Sequence, residues 1–114
     1  MGRLTTHVLD LAHGRPAAGV RLRLLRLDGG GSELAATATD ANGRALLIEG
    51  AGLTPGRYAI EFAVGDYFAA AGVALAEPRF LDVVSVRFGI AEADQGYHVP
   101  LLVSPFGYTT YRGS

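Results

Sequence analysis

Short alternating runs, cut at close intervals by Gly, Pro, Asn and Asp, set the tightest limit on what this 114-residue chain can fold into. Val20, Leu22 and Leu24 alternate with Arg21 and Arg23, the pattern of a half-buried strand. Tyr58, Ile60, Phe62 and Val64 alternate in the same way with Ala59, Glu61 and Ala63. Further strands are expected over 5–10, 33–39, 44–48, 81–90, 99–103 and 107–111, with the two alternating runs covering 20–27 and 58–64. Turns are expected at His13 to Pro16, at Asp40, Ala41, Asn42 and Gly43, and at Leu53 to Gly56. The Asp28 to Ser32 stretch reads as a flexible connection. One short helix fits 66–72, with Asp66 able to cap its start and Gly72 to end it. Seven or eight strands and at most one helix predict an all-β antiparallel sandwich or barrel, in one domain over 1–114.

Composition narrows the chemistry. With 49% hydrophobic and 18% charged residues, the chain can build a core and is not a disordered segment. Its net charge of -1 offers no basic surface to nucleic acid or to anionic lipid. All ten cationic residues are arginine, which removes lysine Schiff-base chemistry. The lack of Cys removes disulfides, thiolate metal sites and cysteine nucleophiles. No apolar run approaches a membrane span and no signal-peptide core precedes the first strand, so a soluble cytoplasmic protein is the default expectation.

Few residues carry reactive chemistry. His7 lies mid-strand, on the face shared by Thr5 and Leu9, where a His is more often a hydrogen-bonded structural residue than a catalyst. His13 sits in a turn and is expected to be solvated, without a role. His98 precedes Pro100, which lacks a backbone donor and argues for an edge strand or a sheet boundary. There a ring either reaches ligand or simply faces water. Arg44 follows a turn and is either ion-paired or a planar fork for a flat, oxo-rich heterocycle. The end of the chain, from Gly107 through Tyr108 and Tyr111 to Ser114, is more aromatic than a frayed tail. Phosphate loops, Gly-x-Ser-x-Gly, His-Glu-x-x-His and paired metal-ligand spacings do not occur, so neither metal nor cofactor is expected.

Two stretches carry a resemblance. His7, Val8, Leu9 and Asp10, followed by Gly14 and Pro16, resemble the N-terminal signature of the transthyretin family. The run YHVPLLVSPFGYT at 97–109 resembles its second signature. Gly96 stands where many members carry a further His, and Phe106 where Tyr is common. The terminal Tyr111, Arg112, Gly113 and Ser114 resemble the tetrapeptide of the family's enzyme branch, the 5-hydroxyisourate hydrolases.

This resemblance implies a transthyretin-like sandwich and the hydrolysis of 5-hydroxyisourate to 2-oxo-4-hydroxy-4-carboxy-5-ureidoimidazoline in urate catabolism. It implies a catalytic set of His7, Arg44, His98 and Ser114, with Tyr111, Arg112 and Gly113 binding substrate. It also implies a homotetramer, a dimer of dimers, whose symmetry mates cover apolar edge strands at 101–103 and 107–111. The alternative is a non-catalytic carrier of a small aromatic ligand, which would need neither the His pair nor the tetrapeptide.

Overall fold

The computed structural model describes residues 2–113. Nine strands and one helix follow in order: β1 (Arg3–Asp10), β2 (Arg15–Pro16), β3 (Arg21–Arg26), β4 (Ser32–Ala38), β5 (Arg44–Glu49), β6 (Gly56–Ala63), α1 (Val64–Ala70), β7 (Val83–Ile90), β8 (Gly96–Ser104) and β9 (Gly107–Thr110). They form two sheets. One runs β2-β1-β8-β9, with β5 also paired to β1, and the other runs β4-β3-β6-β7. All pairings are antiparallel except β1 with β8, which run parallel from Arg3 opposite Gly96 to Asp10 opposite Val103.

Alternation makes a sandwich of these sheets. Leu4 and Val8 of β1 and Tyr97, Val99, Leu101 and Val103 of β8 point inward from the first sheet. Leu22, Leu24, Tyr58, Ile60, Phe62, Val84 and Val86 meet them from the second. Each large side chain fully removed from water contributes about 1.5–3 kcal/mol. Tyr58 is fully buried, and its hydroxyl accepts from Arg26 Nη1 at 2.8 Å and bonds Thr54. The outward face of β1 keeps Arg3, Thr5, His7 and Leu9, so the strand's pleat sets His7 on the side away from the core. No helix among the described residues is long and apolar enough to cross a membrane.

Several expectations change in detail. Strand β8 is not an edge: β1 flanks it on one side and β9 on the other. Pro100 acts more locally. Leu101 pairs with Thr110 and His98 with Gly113, in one register, but the ladder lapses between them, opposite Pro100. Thr110 Oγ1 donates to the Pro100 carbonyl across that gap at 2.8 Å. Of the two stretches expected at edges, only the one in β9 is at an edge. Arg15 and Pro16, expected in a turn, pair with Asp10 and Leu9. The glycine-rich connection holds a 3-10 turn at Asp28–Gly30, and Asp28 Oδ2 accepts the Arg57 N–H there.

Helix α1 begins two residues earlier than Asp66 and has no side-chain cap; Asp66 lies in its first turn and accepts from Arg79 at 2.6 Å. Gly72 does end it. With φ at 87°, Gly72 donates to the Ala69 carbonyl while Val73 donates to that of Phe68, a Schellman closure.

His13 is engaged rather than free. Its Nδ1 sits 2.6 Å from Oδ2 of Asp10, a carboxylate with no exposed side-chain surface. Tyr67 of α1 donates to the same oxygen at 2.7 Å, and Oδ1 accepts the N–H groups of Ala12 and His13. Burial works to raise the Asp10 pKa, but the bonds from Tyr67 and His13 and the His13 charge outweigh it and hold it below the usual carboxylate range. A carboxyl whose folded pKa is depressed contributes stability above its unfolded pKa and loses it as pH falls through the folded value. Tyr67→Phe is therefore expected to cost about 1.5–3 kcal/mol at pH 7, the range for a bond to a charged group. The deficit should shrink once pH falls below the Asp10 folded pKa. Urea titrations at a series of pH values, from 7 down until the depressed carboxyl is protonated, check both parts.

Candidate active site

Three strands of the first sheet bring the reactive residues together on its outward face. In the β1 ladders, His7 is opposite Arg44 of β5, and Thr5 is opposite His98 of β8. Partners at one register point to the same side of a sheet, so Arg44, His7, Thr5 and His98 share one patch. A cleft of about 770 Å³ opens there, lined among others by Arg3, Thr5, Asp40, Arg44, Tyr97 and His98. His7 stands at its margin, outside the lining.

Arg44 owes its place to the preceding turn. Asp40 Oδ1 accepts the N–H groups of Asn42 and Arg44, at 2.9 and 3.0 Å. Those two bonds pull the Asp40 pKa down. Gly43 closes the turn at φ 77°, and its carbonyl accepts the Val8 N–H at 2.7 Å. A Cβ on Gly43 would stand 2.5 Å from the Val8 carbonyl oxygen, so glycine alone lets the turn seat itself on β1.

The two imidazoles are held differently. His7 Nε2 lies 2.9 Å from the Asn42 carbonyl oxygen. A carbonyl only accepts, so Nε2 carries the proton and Nδ1 holds the lone pair when this ring is neutral. His98 Nδ1 lies 2.8 Å from the Thr5 hydroxyl. Burial lowers the His98 pKa, and the charges of His7 and Arg44 lower it further. At neutral pH the His98 ring is therefore uncharged and able to take a proton.

The C-terminal segment returns to this ring. Gly113 donates its N–H to the His98 carbonyl at 2.7 Å. Arg112 lies over the Tyr97 ring, 4.2 Å from its centroid, and its Nη2 donates to Gln95 Oε1 at 3.0 Å. Tyr111 is 56% exposed. Ser114, the fourth residue of the expected catalytic set, lies outside the described residues. A Cβ on Gly113 would meet His98 Cδ2 at 2.7 Å. Gly113→Ala should therefore push the imidazole or the segment aside and lower kcat about 10- to 100-fold, as misplacements near 1 Å do. Steady-state kinetics beside a thermal melt will show whether the loss comes without unfolding.

The structure thus brings His7, Arg44, His98 and Gly113 into one neighbourhood and sets Arg112 on Tyr97. Two contributors were not singled out from sequence: Thr5 and Asp40. Thr5 shares the His7 face, but its contact with His98 depends on a pairing across 93 positions that no local pattern reveals. Among the described residues, no group of three or more His, Asp or Glu is arranged to hold a metal ion.

Comparison with known proteins shows the family and the fold. The model of the HIUase/Transthyretin family matches residues 4–113. The 5-hydroxyisourate hydrolase 2 of Rhizobium meliloti is 57% identical, over 99% of this chain and 97% of its own. The structure of Klebsiella pneumoniae 5-hydroxyisourate hydrolase superposes with a TM-score of 0.83 at 37% identity, covering 100% of both chains. A crystal structure of (S)-allantoin synthase gives a TM-score of 0.94 at 41% identity, covering 99% of this chain, which spans 44% of that longer one.

Proposed function

Because the chain belongs to the HIUase/Transthyretin family, we propose that it hydrolyses 5-hydroxyisourate to 2-oxo-4-hydroxy-4-carboxy-5-ureidoimidazoline in purine catabolism. One observation carries the reading: an imidazole kept neutral, His98, lines a cleft beside the guanidinium of Arg44. Full-length relatives that bear the hydrolase name support it.

The chemistry follows from those groups. Water is a weak nucleophile at neutral pH, and His98 takes its proton as the oxygen attacks the acyl carbon of the cyclic amide. The carbonyl becomes an oxyanion, which the Arg44 guanidinium stabilises with its planar set of donors. As the tetrahedral intermediate collapses, the carbon–nitrogen bond breaks and the imidazolium returns its proton to the leaving nitrogen. The ring opens to a carboxylic acid, which ionises. His7 is pinned by the Asn42 carbonyl and helps to hold down the His98 pKa. Ser114 is assigned to the catalytic set, and Tyr111, Arg112 and Gly113 to substrate binding.

The proposal includes a homotetramer and a cytoplasmic location. Edge strand β9 is exposed along all four residues, and Phe106 and Phe80 are 75% and 74% exposed with ring centroids 6.3 Å apart. A bare edge beside exposed aromatics is the kind of surface that a second copy covers. Sedimentation velocity should show the tetramer; a stable monomer would remove this part.

The direct test follows the ultraviolet decay of 5-hydroxyisourate, freshly made from urate with a urate oxidase. Protein without a C-terminal tag should accelerate the decay well above the spontaneous rate. Background decay in the presence of folded protein would overturn the hydrolase reading in favour of a ligand carrier.

A further inference from the structure

We propose that Thr5 is a positioning residue whose hydroxyl fixes the orientation and tautomer of His98, so that Nε2 is the nitrogen that meets the reacting water. The proposal rests on the hydrolase reading above and adds to it a residue outside the expected catalytic set.

The argument begins with the parallel pairing of β1 and β8, which sets Thr5 opposite His98. Thr5 Oγ1 lies 2.8 Å from Nδ1, and the Thr5 backbone also bonds the ring, a contact that by itself works to raise the His98 pKa. On the other flank, the Gly113 backbone packs so closely that even a Cβ would stand 2.7 Å from Cδ2. The imidazole is therefore gripped at Nδ1 and at Cδ2, and the edge bearing Cε1 and Nε2 is left to the cleft.

The chemical nature of the grip matters. A hydroxyl both donates and accepts. The Thr5 backbone contact, of the sign that a carbonyl accepting from a ring N–H produces, places the N–H on the nitrogen facing Thr5, so the hydroxyl accepts from Nδ1–H as well and the Nε2 lone pair is free to act as the base. When Nε2 gains the water proton, the hydroxyl keeps accepting from the same Nδ1–H, so no bond has to be exchanged during the proton transfer. A carboxylate in this place would add a charge that favours the imidazolium and would raise the His98 pKa. The neutral hydroxyl orients the ring without doing so, in keeping with a ring whose pKa is pushed down by burial and by the neighbouring charges. Partners of this type, one bond behind the reacting group, commonly matter for activity as much as for fold.

Two substitutions separate positioning from packing. Thr5→Val keeps the shape and strand preference of Thr and removes the hydroxyl, whereas Thr5→Ser keeps the hydroxyl and removes a methyl. Thr5→Val is expected to lower kcat about 10- to 100-fold with KM changed less than about threefold, the scale of losing one orienting contact. Thr5→Ser should stay within about threefold of the parent on both constants. The 15N shifts of the His98 ring give a readout that needs no substrate. The parent should show Nδ1–H with an unprotonated Nε2 at neutral pH, and Thr5→Val should lose that preference while Thr5→Ser retains it.

Parent-like kcat and tautomer in Thr5→Val would overturn the proposal, as would a Thr5→Ser variant as impaired as Thr5→Val. A parent that leaves 5-hydroxyisourate decay unchanged, yet shows the Nδ1–H tautomer lost in Thr5→Val, would overturn the hydrolase reading and uphold the positioning.

Discussion

A His98→Asn chain is expected to lose about a hundred- to ten-thousandfold in kcat, the contribution of a positioned general base. Asn is chosen because its side-chain amide ends near the place of Nδ1, where the Thr5 hydroxyl can still reach it, while nothing replaces Nε2. Neither the core nor the β1–β8 ladder depends on the imidazole, since the ladder runs through backbone groups. The melting temperature should therefore stay close to that of the parent. The parent's pH profile provides an independent check. Only the neutral ring acts as a base, so kcat/KM should fall as pH drops through the His98 pKa. That pKa lies below the ordinary histidine value, so activity should persist further into the acid than for an unperturbed histidine. An asparagine variant with near-parent turnover and the same acid limb would assign the base elsewhere, with His7 the next candidate.

Arg44→Ala is expected to lower kcat about a hundred- to a thousandfold, as removal of one oxyanion donor does. Arg44→Lys should recover only part of this, because an ammonium supplies a point charge and not a planar pair of donors. The substitution makes a second, less obvious prediction. Arg44 is one of the two charges that depress the His98 pKa, so its removal lets that pKa rise. The acid limb of kcat/KM should then move to higher pH in Arg44→Ala and stay near its parent position in Arg44→Lys. A loss confined to KM, with kcat unchanged, would instead mean that the guanidinium grips substrate and transition state alike.

The legible parts of the fold are those whose cause is local. Alternation in the stretches that became β3 and β6 shows as strands because each inward residue must reach the core. Gly43 and Gly72 mark turns because their backbones adopt positive φ. Pro100 is instructive in the opposite sense. A missing N–H argues for an edge, yet it can also be accommodated by a one-position lapse in a paired strand, and sequence does not tell these apart. His13 is exposed, as expected, but its bond to Asp10 is not legible, because that carboxylate is hidden only once α1 has docked Tyr67 over it. The candidate site divides likewise. His7 and His98 stand out by residue type and by family signature, and Arg44 by the catalytic set that the resemblance implies. Thr5 is an ordinary strand residue until a parallel ladder sets it beside an imidazole, and nothing near position 5 announces that ladder.

That parallel ladder also governs timing. Thr5 and His98 are 93 positions apart, and their contact belongs to the one parallel pairing among the described strands, which a hairpin cannot make. Contacts of such long separation close late and slow the folding of β-rich chains, because the entropy of closing the loop is lost before any contact compensates it. On the ribosome, β1 must wait with its outer edge open until β8 has emerged. The second sheet has no such dependence, as β3, β4, β6 and β7 all precede β8. The candidate site, which needs β1, β5 and β8 together, is therefore complete only after the late strand β8 has paired, so its assembly reports that the two ends of the chain have met.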